Sequence, residues 1–366
     1  MLSQKGWTMK EYNVGDLVSE FLYQIGVKDV FGVVSVHNIP MLDAIGRRNY
    51  IQMIPARGEM GAGHMADGYA RATNGLGVVF TSTGPGAANI AGALVESRFV
   101  GSAVLHFTGQ TATENLDKKQ GTVHDVPDQL GMLKSISKKA IRISKPEDVI
   151  TKLMEATTAA LTPPMGPVSI EIPIDIQRTI IERPSELDQI KLPSINLQIG
   201  DISSLDKIED IVKKSKRKIL WVGNGAKFAK DEVEKFIDIG FAVVTSTLGR
   251  GVVPESNKMS MGAFNAVPLI EDFYKTLDLM IVVGSRLRGH ETRDMSLKLP
   301  ENIIQIDIDP DAKNRTYKTN FFHCGDGKMV LGELANRLSK TIPVDDDWIN
   351  EVSELKNEIL ETYKNN

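Results

Sequence analysis

The chain has 366 residues, 42% of them hydrophobic, with 43 basic against 47 acidic side chains, a formal charge of −4, and one cysteine. At roughly 150 residues per domain this length predicts two domains, each able to bury a core. The near-neutral charge argues against binding nucleic acid or an anionic membrane, Cys324 alone excludes a disulfide framework or a cysteine zinc cage, and no apolar run approaches the ~18 residues of a membrane span.

The opening MLSQKGWTMKEY lacks the apolar core of a signal peptide, so a cytoplasmic location is expected. Val14, Leu17, Val18, Phe21, Leu22 and Ile25 share one face of a helix over 14–26. A buried strand follows at 29–34, a helix at 38–48, a strand-like 50–56, and a helix from Glu59 to Ala72. A strand at 76–83, a helix at 87–100 and a strand at 103–110 complete the alternation. Strand–helix repetition with glycines at the strand ends predicts a parallel α/β sheet. After VSIEIPIDIQ (168–177), the polar, proline-bearing segment 182–201 reads as a linker. Strands at 218–223, 241–246, 279–285 and 302–309 then predict a second α/β block. The last segment places Trp348, Val352, Leu355 and Ile359 on one stripe of an amphipathic helix over 345–363. The expected domains are therefore 1–181, a linker at 182–201, 202–343, and a terminal helix within 344–366. The fold class is α/β, two doubly wound parallel-sheet domains.

Chemistry concentrates in ARGEMGAGHMADGYARATNGLGVVFTSTGPGAAN (56–89). Glu59 stands where a strand hands over to a helix, a position that usually serves the helix dipole. The next strand ends in Ser82-Thr83-Gly84-Pro85-Gly86, and ligands of open parallel sheets sit beyond such carboxyl ends. Glycines there let a flat polar ligand approach the backbone closely.

These segments resemble the pyrimidine-binding domain of thiamine diphosphate (ThDP) enzymes of the acetolactate synthase and benzoylformate decarboxylase group. The likeness includes GVVSVHNIPMLDAI, AVLHFTGQ and GPVSIEIPIDIQ, and continues through LWVGNGA, VVGSRLRG and IIQIDIDP, which resemble the family's Rossmann-like central domain. It spans about residues 10 to 340. The resemblance implies that Glu59 hydrogen-bonds N1′ of the cofactor's aminopyrimidine and favours the imino tautomer that deprotonates the thiazolium. It implies that Thr83, Gly84 and Gly86 pack against the pyrimidine, with Asn89 beginning the next helix, and that Gln110 reaches cofactor and substrate. It places His37 and Asn38 in the substrate loop, where Val34 and Ser35 replace the usual Pro and Gly. His124 has two readings, a proton shuttle or a structural histidine. His64 and His106 read as core or structural groups, and no cluster has metal-ligand spacing, so no metal site is expected within the chain.

In the second block, Gly223 and Arg286 follow apolar strands at turns suited to a diphosphate. The family's central domain binds FAD in some members and ADP in others, so either is possible here. Gly325-Asp326-Gly327 reads as a turn and helix start, not as the family's Mg²⁺-diphosphate motif, because the flanking strand and an asparagine pair at matching distance are absent, Asn365 and Asn366 lying after a helix. The expectation is one part of a ThDP-dependent 2-oxo-acid decarboxylase or carboligase without turnover by itself. Its diphosphate domain and Mg²⁺ site would come from a separate subunit or a missing C-terminus, and the terminal helix would lead towards it. A homo-oligomer, dimer or tetramer, acting on a small 2-oxo acid is implied. The other reading is a catalytically silent nucleotide-binding or assembly subunit.

Overall fold

A computed structural model describes residues 11–118, 120–338 and 345–364. The chain divides between Ile195 and Asn196 into two compact units.

The first unit runs α1 (Val14–Gln24), β1 (Asp29–Gly32), α2 (Ile39–Arg48), β2 (Gln52–Pro55), α3 (Glu59–Thr73), β3 (Gly77–Thr81), α4 (Pro85–Asn89) and α5 (Ala91–Val100). It continues through β4 (Val104–Gln110), α6 (Gln129–Ile136), β5 (Lys139–Arg142), α7 (Val149–Leu161), β6 (Val168–Pro173) and α8 (Ile174–Arg178). The sheet is wholly parallel in the order β2-β1-β3-β4-β6-β5. Period-2 alternation sends Val78 and Phe80 into a core shared with α1, α2 and α7, while Val79 faces α3 and α5. Helices thus cover both faces of the sheet, which is why its strands read as continuous apolar runs.

The expected single helix over 87–100 is two helices, broken at Ile90. Ile90 is buried and, with Ala93, packs so closely on α3 that a Cβ at Gly63 would meet Ala93 Cβ at 2.6 Å. β5 escapes the period reading because its four residues are mostly half-exposed. A 3-10 turn at Ser185–Gln189, inside the segment expected to be linker, buries Leu187 in the first core.

A polar chain crosses this sheet. His106 is fully buried on β4, between Thr81 Oγ1 at 2.8 Å and Ser169 Oγ at 2.9 Å, and Ser169 meets Ser137 at 2.7 Å. Burial lowers the imidazole pKa to about 3. An unfolded histidine binds its proton near pH 6.5 and the folded one does not, so stability is intact above pH 6.5 and falls as pH drops towards about 3. Denaturant titrations should show this group contributing a slope approaching ~1.4 kcal/mol per pH unit in that window, absent in His106→Gln. Equal slopes in the two proteins would contradict the assignment.

The second unit contains α9 (Ile202–Lys214), β7 (Lys218–Val222), α10 (Lys230–Asp238), β8 (Phe241–Thr245), α11 (Pro268–Tyr274), β9 (Leu279–Val283), β10 (Ile303–Asp307), β11 (Phe321–Cys324), α12 (Gly327–Leu338) and α13 (Asp346–Lys364). Its sheet is also parallel, in the order β11-β10-β9-β7-β8. α9, α10 and α12 cover one face, and α11 with α13 the other. The apolar stripe of α13 is buried within this unit. Trp348 stacks on Phe273 at 5.5 Å between centroids and donates from Nε1 to the Gly240 carbonyl at 2.9 Å, while Arg217 lies over the indole and pairs with Glu351. Asp326 accepts from Met329 N at 3.1 Å and so starts α12, which gives the Gly-Asp-Gly segment a helix-capping role. No helix among the described residues is long and apolar enough to cross a membrane.

Candidate functional site

In the first unit the chain leaves β1 towards β2 on one side and returns to β3 on the other, so the strand order reverses between β1 and β3 while all strands stay parallel. The crevice beyond the carboxyl ends at such a point is the usual ligand position in a doubly wound sheet. Eight of the sequence-proposed residues lie on the segments that follow β1, β2, β3 and β4, and a ninth, Gln110, ends β4. The other two, Gly223 and Arg286, belong to the second unit.

Glu59 is the first residue of α3, after an extended Gly58, and is half-buried. Its Oε2 accepts from Asn89 Nδ2 at 3.2 Å. Its Oε1 faces Gly86, where a Cβ would stand 3.0 Å from that oxygen and 2.7 Å from Ser82 Cβ. The missing side chain lets the buried turn close directly against Ser82 and the carboxylate. Gly84 has φ +54° and ψ −112°, and a Cβ there would meet the His124 carbonyl at 2.3 Å. The Thr83–Gly86 turn is therefore glycine-dependent twice, through conformation at Gly84 and through clearance at Gly86.

Under this turn lies a buried polar network. Thr83 Oγ1 shares its proton between Gln110 Oε1 at 3.1 Å and Gln129 Oε1 at 2.8 Å. Gln110 also accepts from Thr111 N at 2.7 Å and donates to Glu171 Oε2 at 3.4 Å, so its amide is spent within the protein. Glu171, fully buried on β6, pairs through Oε1 with Arg142 Nε. Burial raises the Glu171 carboxyl pKa and the Arg142 guanidinium opposes that rise. Gln129, Glu171 and Arg142 were not singled out from the sequence. A charged residue within the otherwise uncharged, mostly apolar VSIEIP strand is the one signal that marks the network.

Asn38 is wholly buried. It donates to Val33 O at 2.9 Å and Thr81 O at 3.1 Å and accepts from Ser35 N at 2.9 Å, and so ties the β1 loop to β3. Ser35 reaches Ser82 Oγ at 2.7 Å. His37 and His124 face each other at 5.9 Å between ring centroids. His124 is exposed with φ +66°, whereas His37 is half-buried with no hydrogen-bond partner at Nδ1. Burial, then His124 and Arg178, lower the His37 pKa, so its ring is neutral at pH 7.

At the corresponding switch point of the second unit, between β7 and β9, the two turns fill each other. Gly223 N donates to Val283 O at 2.8 Å, Gly225 N to Gly284 O at 2.9 Å, and Ala226 N to Gly223 O at 3.1 Å. Gly223 has no space for a Cβ, which would meet Gly284 O at 2.3 Å. Arg286 is half-buried and its carbonyl accepts from Thr316 Oγ1 at 3.0 Å. Among the described residues no group of three or more His, Cys, Asp or Glu side chains is arranged to hold a metal ion.

Residues 12–132 match the thiamine pyrophosphate enzyme N-terminal TPP binding domain, and residues 205–334 match the thiamine pyrophosphate enzyme central domain. The chain is 28% identical, over 90% of its own length and 57% of the relative's, to the probable acetolactate synthase large subunit of Methanocaldococcus jannaschii. It is 27% identical to the acetolactate synthase large subunit of Corynebacterium glutamicum, over 92% of this chain and 54% of that protein. To the mitochondrial acetolactate synthase catalytic subunit of Saccharomyces cerevisiae it is 26% identical, over 95% and 54% respectively. The chain thus spans somewhat over half the length of these relatives.

Proposed function

The chain belongs to the thiamine pyrophosphate enzyme family, and from that membership we propose that its first unit holds the aminopyrimidine of ThDP in an acetolactate synthase-like 2-oxo-acid decarboxylase or carboligase. The observation that carries this reading is the half-buried Glu59 carboxylate at the start of α3, with Oε2 held by Asn89 and Oε1 making no hydrogen bond among the described residues. An aminopyrimidine in the crevice would find Oε1 available to a ring nitrogen, while Asn89 fixes the other oxygen. The residues present therefore suit the group.

When bound, ThDP supplies a carbon nucleophile and an electron sink for a 2-oxo acid. The chain's own contributions are position and protons. Glu59 would hold a proton for a ring nitrogen of the bound aminopyrimidine. Asn89 orients the carboxylate, and Gly84 and Gly86 let the turn close against it. Exposed His124, opposite the neutral His37 ring, is placed to carry protons for the substrate. Asn38 and Gln110 act one step back: their amides hold the β1 loop and the Thr83 turn.

The diphosphate and Mg²⁺ would be held by polypeptide beyond this sequence, either another subunit or a further domain. The greater length of the relatives supports this. An oligomer in the cytoplasm, dimer or tetramer, accompanies the proposal. FAD or ADP at the Gly223 turn draws no support from its geometry, because the amides of Gly223, Gly225 and Ala226 are already hydrogen-bonded.

The test is to combine the chain with the polypeptide carrying the diphosphate half, ThDP, Mg²⁺ and pyruvate or another small 2-oxo acid, and follow CO₂ release. Release that depends on this chain and on ThDP is the expected result. ThDP binding without turnover of any such acid would favour a silent assembly subunit instead.

A further inference from the structure

Gln129 makes more hydrogen bonds at the candidate site than any residue named from the sequence. It opens α6 and is 1% exposed. Oε1 accepts from Thr83 Oγ1 at 2.8 Å and Gly84 N at 2.6 Å, while Nε2 donates to Gly109 O at 3.1 Å and Glu171 Oε2 at 2.8 Å. The orientation of this amide is dictated by its partners. Gly84 N–H can only donate and Gly109 C=O can only accept, so a flipped amide would set donor against donor and acceptor against acceptor. Glu171, wholly buried, presents Oε2 to Gln129 because Arg142 holds Oε1 and is itself tied to Asp117 at 2.8 Å.

The segment that Gln129 grips leads directly to Glu59. Gly84 launches α4, and α4 carries both residues that flank the Glu59 carboxylate, Gly86 beside Oε1 and Asn89 on Oε2. Movement at Gly84 therefore reaches the carboxylate within five residues of chain.

We propose that Gln129 is a positioning residue for the Thr83–Gly86 turn, that the Glu171–Arg142 pair sets which way its amide faces, and that together they fix the geometry around Glu59. This rests on the reading of Glu59 as the aminopyrimidine partner. Gln129 touches no reacting atom; it acts through the turn.

A polarity swap tests it. Gln129→Glu alone brings two buried carboxylates together, and Glu171→Gln alone turns an amide donor towards the donor of Gln129. The double variant restores the bond in reverse: Gln at 171 donates to Glu at 129, which still accepts from Thr83 and Gly84, while the bond to Gly109 and the long one from Gln110 are lost and Arg142 faces an amide oxygen in place of a carboxylate. Each full-length chain is followed by NMR through Gly84 amide exchange and the Asn89 side-chain resonance. Each is then titrated with 4-amino-5-hydroxymethyl-2-methylpyrimidine, the aminopyrimidine half alone. In each single variant Gly84 exchange should accelerate about tenfold and pyrimidine affinity fall about fivefold, and the double variant should recover both to within about threefold of wild type. Where Gln129→Glu does not fold, Gln129→Met removes the same bonds without adding charge. Folded single variants with wild-type exchange, Asn89 resonance and affinity would overturn the proposal, as would a double variant no better than the worse single. Wild-type protein that shows no pyrimidine shifts would instead defeat the cofactor reading, and the exchange data would still decide the role of Gln129.

Discussion

Glu59→Gln is expected to leave the chain folded while lowering turnover of the completed enzyme by about 10²–10⁴-fold, the usual worth of a positioned acid–base group. The substitution is nearly isosteric. Its amide oxygen can still accept from Asn89 Nδ2, so the bond now measured at 3.2 Å survives. The lost charge sits in the first turn of α3, where a carboxylate stabilises a helix by ~0.3–1 kcal/mol. What disappears is a group at Oε1 able to exchange a proton with the ring nitrogen, because an amide does not titrate. Denaturant midpoints within about 1 kcal/mol of wild type, alongside 2-oxo-acid turnover near background, would agree with this. A rate within about threefold of wild type would remove Glu59 from the chemistry.

Glu59 and the glycine turn are legible in the sequence because their information is local: a carboxylate at a strand-to-helix handover, then a strand ending in Thr-Gly-Pro-Gly. The α/β alternation is legible for a similar reason, since strands covered on both faces read as unbroken apolar runs. The stripe Trp348, Val352 and Ile359 likewise identifies a helix, although its period says nothing of what covers it. In the structure α11 and β7–β9 of the same unit do so. The support beneath the turn is of another kind. Gln129 lies 46 residues from Thr83 and 42 from Glu171, and no period or motif links these positions. Only the improbability of a glutamate within VSIEIP hints that a partner must exist, and that hint does not name Arg142. The roles of Asn38 and Gln110 are hidden for the same reason. A polar residue at a strand end can face a ligand or brace a loop, and the choice depends on neighbours brought in by the fold.

The same dependence on three-dimensional neighbours gives Gly84→Ala the largest expected cost among single methyl additions at this site. Gly84 adopts φ +54° and ψ −112°, outside the left-handed helical well that Asn or Asp tolerate, so any L side chain is strained there by ~1–3 kcal/mol. The added methyl would also stand 2.3 Å from the His124 carbonyl, which is backbone and cannot rotate aside. Relief requires moving the turn or the loop bearing His124, and the turn is held by Gln129 through a 2.6 Å bond to the Gly84 amide. A destabilisation on the order of 3 kcal/mol is expected in urea unfolding, together with weakened binding of the aminopyrimidine fragment. Gly68→Ala supplies the contrast. It lies within α3 where a Cβ meets nothing within 4 Å, so the same change should stabilise by roughly 0.5–1 kcal/mol. If both substitutions shift the midpoint by similar amounts in the same direction, the turn is not the strained, glycine-dependent element that its geometry shows, and the framing of Glu59 by α4 loses its foundation.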